Sequence, residues 1–447
     1  MLRCLFVDFN SYFASVEQQI NPRLRGRPVG VVPVMAESTS CIAASYEAKA
    51  FGVRTGTRVS EARQMCPEIV FVEARHEVYV EFHQRAVAAV ERIAPVRQVL
   101  SIDEMECELT GSWCQRDKAV AIAQAVKKEV LSSVGECMRS SIGIAPNTLL
   151  GKLASNMQKP DGLTVLEQAA LPQAIFHLPP SAIQGVGKRM LERLERAGLH
   201  TMQDLCEAPR ALLHSVWGGV AGSEMHDMLR GQWYGPRQTT ARSLGHSHVL
   251  PPALRHPQGA LDVLNRLTQK AAMRLRKQGF YATAMSISVR CGHRYQNEAG
   301  GSRDTRFGQM QDTAFFLQVL HTLWHAGLDQ MAEPKAVNVT LHGLVLAAQH
   351  TPSLFDEAAD AAADLPPDEA TGATANTGAA APAMQSPQSV GRASNNAASR
   401  ARLDAAMDKV NKTFGKNSLY FASAHDARDA APMRIAFNRI PDIETEA

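Results

Sequence analysis

The stretch Val99 to Leu109, VLSIDEMECEL, sets two adjacent carboxylates, Asp103 and Glu104, in a short β-like run. Val99, Ile102, Met105 and Leu109 supply its apolar positions, and neither Gly nor Pro interrupts it, so the pattern predicts a strand. Two acids side by side on a strand repel each other, and both are poor strand formers. A bound cation accounts for the pair at least cost. The alternative is a hairpin that exposes Asp103, Glu104, Glu106 and Glu108 to water, a common fate for acids.

A third acid stands near the start of the chain. Leu2 to Val7 reads as a buried strand ending in Asp8, and a helix bearing Tyr12, Phe13 and Val16 follows. Asp8 is poorly placed for packing and well placed for a metal; Ser11 reads as the helix N-cap. Residues 41 to 77 then form a small basic segment without a deep core, carrying Tyr46, Lys49, Arg54, Arg58 and Arg63 among glycines. Helices are predicted near Glu77 to Ile93 and Asp117 to Leu131, the second burying Val120, Ala123, Val126 and Val130. SSIGIA reads as a strand, followed by helix, turn and strand through APNTLLGKLASNMQKPDGLTVL. This order fits a ferredoxin-like sheet with an inserted subdomain, in which Asp8 and the Asp103–Glu104 pair converge on neighbouring strands. Converging carboxylates offer hard oxygen ligands to Mg²⁺, usually shared with substrate phosphates.

Residues 171 to 235 are helical in pattern. Gly185-Val186-Gly187 opens a helix whose first turn carries Lys188 and Arg189, which oppose the helix dipole. An anion explains them better than capping does: a Gly-rich turn, free backbone N–H groups and two cations make a phosphate site. The pattern is that of a helix-hairpin-helix, which grips a nucleic-acid backbone without reading its sequence; an ordinary tight turn is the alternative.

Residues 241 to 346 repeat the strand–helix–strand–strand–helix–strand order. Met285, Ile287 and Val289 alternate with Ser286, Ser288 and Arg290, and Val337, Val339 and Leu341 alternate with Asn338, Thr340 and His342. One face therefore packs on helices and the other presents hydroxyls, amides and cations. Twelve Lys or Arg face six acids here, a net +6 against +3 for the whole chain. A basic, polar, aromatic-poor face suits a duplex backbone more than stacked single strands.

At 447 residues the chain has room for roughly three domains. Its eight cysteines form no CxxC pair, and no apolar run or signal-peptide pattern marks its start, so the expectation is a reduced, cytoplasmic protein. From Asp356 to Arg400 the composition turns to Ala, Asp, Pro, Thr and Ser, which predicts a disordered linker. Before it, TPSLFD presents Leu354 and Phe355 as a short docking peptide. After it, Leu403, Met407 and Val410 suggest a helix, then a short strand.

With these residues in hand, the chain resembles the Y-family translesion DNA polymerases over about residues 1 to 346. VDFNSYFASVE, SYEAKAFGVRTG, SIDE, SIGIAPN with GKLASNMQKPDG, and the GVG hairpin all occur in the family's order. The body resembles the polymerase IV branch, while SLFDE and the tail MDKVN…GKNSLYFAS look like the catalytic subunit of bacterial polymerase V. The implied fold is α+β, a right-hand polymerase. Its ferredoxin-like palm would be residues 1–18 and 77–168, its small fingers 19–76 and its helical thumb 169–236. A βαββαβ little finger would follow at 241–348, then a candidate clamp-binding peptide at 349–356, the linker at 357–400 and a tail at 401–447.

The resemblance implies Asp8, Asp103 and Glu104 as catalytic metal ligands, with the Phe9 carbonyl as a further ligand to two Mg²⁺ ions, Mn²⁺ being an alternative. Phe13 matches the steric gate against ribonucleotides; Tyr46, Lys49 and Lys159 match the triphosphate clamp. Lys49 departs from the Arg of many members and loses its bidentate fork, and Asn10 replaces an Asp that is not a required ligand. Gly185, Gly187, Lys188, Arg189, Arg242, Ser286, Ser288 and Arg290 are the expected DNA contacts, and Leu354 and Phe355 the expected β-clamp contacts. Glu106 and Glu108 read as ordinary acids on the continuing strand. The implied function is low-fidelity, template-directed synthesis past damaged bases within the SOS damage response, using primer–template DNA and dNTPs. The alternative is a non-catalytic scaffold that binds DNA and the clamp, a class expected to have lost its carboxylates.

Overall fold

A computed structural model of the chain describes residues 1–37, 39–235, 240–291, 300–351, 388–415, 418–428, 430, 435 and 440, with backbone only for 388–398. Leu354, Phe355 and the expected linker as far as residue 387 lie outside them. The chain divides into two compact units, residues 1–237 with 433–443, and residues 238–432 with 444–447. Among the described residues no helix is long and apolar enough to cross a membrane.

The first unit runs β1 (Cys4–Phe9), α1 (Tyr12–Ile20), β2 (Val29–Val32), β3 (Ala43–Ala44), α2 (Tyr46–Ala50), α3 (Val59–Met65), β4 (Val70–Glu73) and α4 (His76–Glu91). It continues with β5 (Val96–Val99), β6 (Glu104–Glu108), α5 (Arg116–Ser133), β7 (Ser140–Ala145), α6 (Thr148–Met157) and β8 (Leu163–Val165). Four helices follow, α7 (Lys188–Arg196), α8 (Met202–Glu207), α9 (Arg210–Trp217) and α10 (Val220–Leu229). The main sheet has the order β5-β6-β1-β7-β8, so β1 and β6 are central in a ferredoxin-like palm. The basic segment forms a separate β3-β2-β4 sheet over a small core of its own, including Cys41, Ala48, Val53, Val59 and Cys66. In α5 the buried stripe is Ala119, Ala123, Val126 and Val130, with Ala119 in place of the expected Val120.

Val99 to Leu109 is not one strand. β5 ends at Val99, residues 101–103 bend, and β6 begins at Glu104, pairing Val99 with Met105. Leu100 and Ser101 both donate their N–H groups to the Glu104 carbonyl, at 2.9 and 3.2 Å. Ser and Asp close this turn without Gly or Pro through a local side-chain bond, Ser101 Oγ donating to Asp103 Oδ1 at 2.6 Å. The hairpin alternative is thus right in shape but not in exposure. Glu106, expected as an ordinary acid, is 1% exposed; it pairs with Arg97 at 2.7 Å and accepts from Thr148 Oγ1 at 3.0 Å. A buried carboxylate needs such partners because an unpaired charge there is prohibitive.

The second unit runs β9 (Ser243–Val249), α11 (Pro257–Lys277), β10 (Phe280–Cys291), β11 (Gly300–Met310), α12 (Thr313–His325), β12 (Pro334–His342) and β13 (Val345–Leu346). The βαββαβ element order is as expected, but the sheet order is β11-β10-β12-β9. The second and fourth strands are central here, so the ferredoxin-like arrangement is not repeated. Alternation assigns a strand its faces and leaves its neighbours open, which is why the pattern could not separate the two topologies. The core lies between this sheet and α11 and α12, around Leu264, Leu275, Met285, Ile287, Phe316 and Val339.

A final helix, α13 (Gln388–Phe414), begins inside the segment expected to be disordered. Its Ala-rich sequence favours helix at low entropic cost, which a reading of composition alone had counted toward disorder. Leu403, one of the apolar residues that suggested this helix, is exposed. An ion pair anchors the helix instead: Arg276 on α11 meets Asp404 at 3.2 Å and Asp408 at 2.8 Å, and Asp404 accepts from the Thr313 N–H at 2.9 Å. The expected strand after it is absent from the described residues; Ala422–Ala424 form a 3₁₀ turn, and Ala427 joins the core.

Candidate active site

The register of β1 against β6 sets Asp8 directly opposite Glu104, and the Phe9 N–H donates to the Asp103 carbonyl at 2.9 Å. The three carboxylates therefore share one end of the sheet. Asp8 is 3% exposed, in a strand buried at every residue. A close approach of α6 completes the site. A Cβ on Gly143 would sit 2.0 Å from the Gly151 carbonyl, and one on Gly151 would sit 2.7 Å from Cys4 Sγ. Only glycine at both positions lets α6 lie this near β1 and β7.

That approach delivers a residue the sequence reading had passed over. Lys152 on α6 donates to both Asp8 Oδ2 and Glu104 Oε1, the latter at 2.6 Å, with its ammonium over the Phe6 ring. Lys159, in the turn after α6, reaches Asp8 Oδ1 at 2.7 Å. Asn10 holds that turn: its side-chain oxygen accepts from the Asp161 N–H at 2.8 Å, and its amide donates to Ser141 Oγ at 3.0 Å. Lys152 was overlooked because a helical lysine ordinarily marks a solvated face. The available signal was its position between Gly151 and the apolar Leu153 and Ala154, all of which are buried.

Asp103 Oδ1 accepts from Ser101 Oγ. Burial, with the like charges of Asp8 and Glu104, pushes Asp103 above the usual carboxylate range, against the Ser101 hydrogen bond and Lys152. Burial alone would lower Lys152, but the charges of Asp8 and Glu104 hold it above the ordinary lysine value. Among the described residues, no three His, Cys, Asp or Glu side chains stand together as an ion cage. The donors are nonetheless the hard oxygens that Mg²⁺ takes, and an ammonium already occupies the position between two of them.

The remaining expected nucleotide residues gather at the same end. Ser11, as expected, is the N-cap residue of α1, but it is left-handed (φ 46°) and makes no capping bond. Its hydroxyl accepts from Lys49 Nζ at 2.7 Å, and that ammonium lies 4.3 Å from the Tyr46 ring centroid. Burial, reinforced by Lys159, lowers the Lys49 pKa, while burial and Asp8 raise that of Tyr46. Phe13 stacks on Tyr79 with centroids 4.6 Å apart. Tyr79 is fixed in turn, its hydroxyl donating to buried Glu17 at 2.8 Å and its carbonyl accepting from Tyr12 at 2.7 Å.

The expected DNA contacts are carried by other elements. Gly185 is left-handed (φ 91°), Gly187 is the N-cap of α7, and Lys188 and Arg189 are exposed in its first turn, above buried Ile183 and Val186. In the second unit, Ser286 pairs with Thr340, Ser288 with Asn338, and Arg290 with Ala336 on the polar sheet face. Arg242 is exposed just before β9. Arg303 is not on that face, since its Nε donates to the Ala326 carbonyl at 3.0 Å.

Comparison with known proteins places this geometry. Residues 7–156 match the impB/mucB/samB family, and residues 241–354 match that family's C-terminal domain. The DNA polymerase IV of Moorella thermoacetica is 35% identical over 359 residues, spanning 78% of this chain and 88% of the relative. That of Pelotomaculum thermopropionicum is 32% identical over 371 residues, spanning 80% and 89%. Among solved structures, a Y-family DNA polymerase chimera of Dbh and Dpo4 superposes with a TM-score of 0.64 at 23% identity, covering 77% of this chain and all of the other. An insertion ternary complex of Dbh DNA polymerase gives 0.53 at 23% identity over the same shares.

Proposed function

This chain belongs to the Y-family DNA polymerases, the impB/mucB/samB family, and on that premise we propose that Asp8, Asp103 and Glu104 are its nucleotidyl-transfer centre. It is a DNA-directed DNA polymerase of the translesion type, related to polymerase IV. The observation that carries the assignment is the register of Asp8 opposite Glu104, with Asp103 tied to Phe9 at the same strand end.

Asp8, Asp103, Glu104 and the Phe9 carbonyl would hold two Mg²⁺ ions, or Mn²⁺ in their place. When bound, such ions stabilise the attacking and leaving oxygens of an in-line displacement and acidify the primer 3′-hydroxyl. The chain's own groups do the rest. Lys159 and Lys49 offset the triphosphate charge, Tyr46 lines its path, and the Phe13 ring, braced by Tyr79, closes the space a ribose 2′-hydroxyl would need. Lys188 and Arg189, with the turn at Gly185 and Gly187, hold the duplex backbone. So do Arg242, Ser286, Ser288 and Arg290 in the second unit. Leu354 and Phe355 are assigned to the β sliding clamp, and the setting to a cytoplasmic, mutagenic SOS response. The non-catalytic alternative gains nothing, since all three carboxylates are present. Primer extension with dNTPs on undamaged and lesion templates tests the assignment: Asp103→Ala is expected to abolish it, and full activity in that variant would remove Asp103 from the site.

A further inference from the structure

Two of the three carboxylates in the first unit share a single cation that belongs to the protein itself. We propose that Lys152 is a positioning residue, the resident counter-cation that holds Asp8 and Glu104 in place and gives up their oxygens to a divalent ion.

The geometry restricts Lys152 to this role. Its helix is pinned against β1 and β7 by the glycine contacts at 143 and 151, and its ammonium lies over the Phe6 ring, 5.4 Å from the centroid. The side chain is 12% exposed, so water screens its charge poorly. It bonds one oxygen of Asp8 and one of Glu104, while Lys159 takes the other oxygen of Asp8 and Ser101 takes Asp103. A divalent ion held by Asp8 and Glu104 would compete with the Lys152 ammonium for Asp8 Oδ2 and Glu104 Oε1, and would sit beside its positive charge. Without Lys152 the carboxylates would repel each other in a buried site, and the site would be both less stable and more avid for cations. Lys152 thus suppresses ion binding by the protein alone while keeping the ligands assembled.

The inference rests on the carboxylates being a divalent-ion site, and the experiment separates the two. Binding of Mn²⁺ to the full-length protein, without DNA or nucleotide, is measured by electron paramagnetic resonance for wild type, Lys152→Met, Lys152→Arg and Asp103→Ala. Lys152→Met is expected to bind Mn²⁺ about tenfold more tightly, in line with removing a nearby charge at intermediate dielectric. Its melting temperature should fall in EDTA and recover in saturating Mn²⁺. Lys152→Arg should keep the wild-type affinity. A merely structural lysine would lower the melting temperature with and without Mn²⁺ and leave affinity unchanged or weaker. If Lys152→Met binds no more tightly than wild type while Asp103→Ala binds less, the inference falls and the metal assignment stands. If wild type and Lys152→Met both fail to bind, the metal assignment falls and takes the inference with it. Should Lys152→Met not fold, as judged by circular dichroism, Lys152→Gln is read by the same criteria.

Discussion

The two βαββαβ sheets differ in what their central strands carry. In the first unit β1 and β6 are central, every residue of β1 is buried, and Asp8 faces Glu104 across the ladder. In the second, β10 and β12 are central, and Ser288 faces Asn338 on a face that leaves Arg290 exposed. Burial makes the first pair costly, so lysines must stand beside it; the open face carries its polar groups without any such compensation. A charge cluster that the fold must neutralise is suited to holding reactive ions and phosphates. A solvated row of short polar side chains is suited to following a backbone it need not distinguish.

The sharpest break of this comparison is at the carboxylates. Asp103→Ala is expected to lower primer-extension kcat about a thousandfold or more, since it removes a ligand from transition-state charge stabilisation. Ser288→Ala on the second sheet should leave kcat within about twofold, because a backbone contact carries none of that charge. Steady-state extension at saturating DNA separates the two. Packing gives a second contrast. Gly143→Ala would drive a Cβ to 2.0 Å from a backbone carbonyl and should cost about 3 kcal/mol in urea unfolding. Gly308→Ala on β11 meets nothing within 4 Å and should change stability by no more than about 0.5 kcal/mol.

Charge burial in the first sheet also predicts a pH signature. Asp103 has a raised folded-state pKa, caused first by burial, so its ionised form costs stability at neutral pH and its protonated form does not. Asp103→Asn should therefore be inactive yet more stable than wild type at pH 7. That gain should shrink as pH falls through the raised folded-state value and vanish below about 3.9, the unfolded value. Urea titrations between pH 7 and 3.5 measure it, and a gain that is constant with pH would mean the carboxyl is not strained by burial.

Element identity was largely legible in the sequence because hydrophobic period is a local property: β1, β10, β12 and their helices follow from it, whereas the run Val99–Leu109 divides into the end of β5, a bend and β6. Asp8 and Glu104 were legible too, as acids where a strand pattern leaves no room for them. What escaped were the properties set by pairing. Asp103 lies in a turn because Ser101 bonds it, which no breaker residue announced. The central strands of the second sheet could not be ranked from alternation alone. Lys152 and Arg276 hide because a Lys or Arg on an amphipathic helix reads as solvated until its acid partner, 48 to 144 residues away for Lys152 and 132 for Arg276 with Asp408, is brought to it.

The smallest expected effect tests the open face directly. Arg290 is exposed on β10 and lies opposite Ala336 and Gly300, so among the described residues neither cross-strand neighbour offers its side chain a polar group. If it contacts a phosphate, Arg290→Ala removes one released counterion, and the slope of log affinity against log salt should become shallower by about 0.9. Affinity for duplex should fall modestly and equally for all sequences, and kcat at saturating DNA should be unchanged. Fluorescence anisotropy with primer–template at several salt concentrations reads both quantities. An unchanged slope would take Arg290 off the DNA path. A loss confined to certain sequences would mean that this face reads bases and that the contrast with the first sheet is drawn in the wrong place.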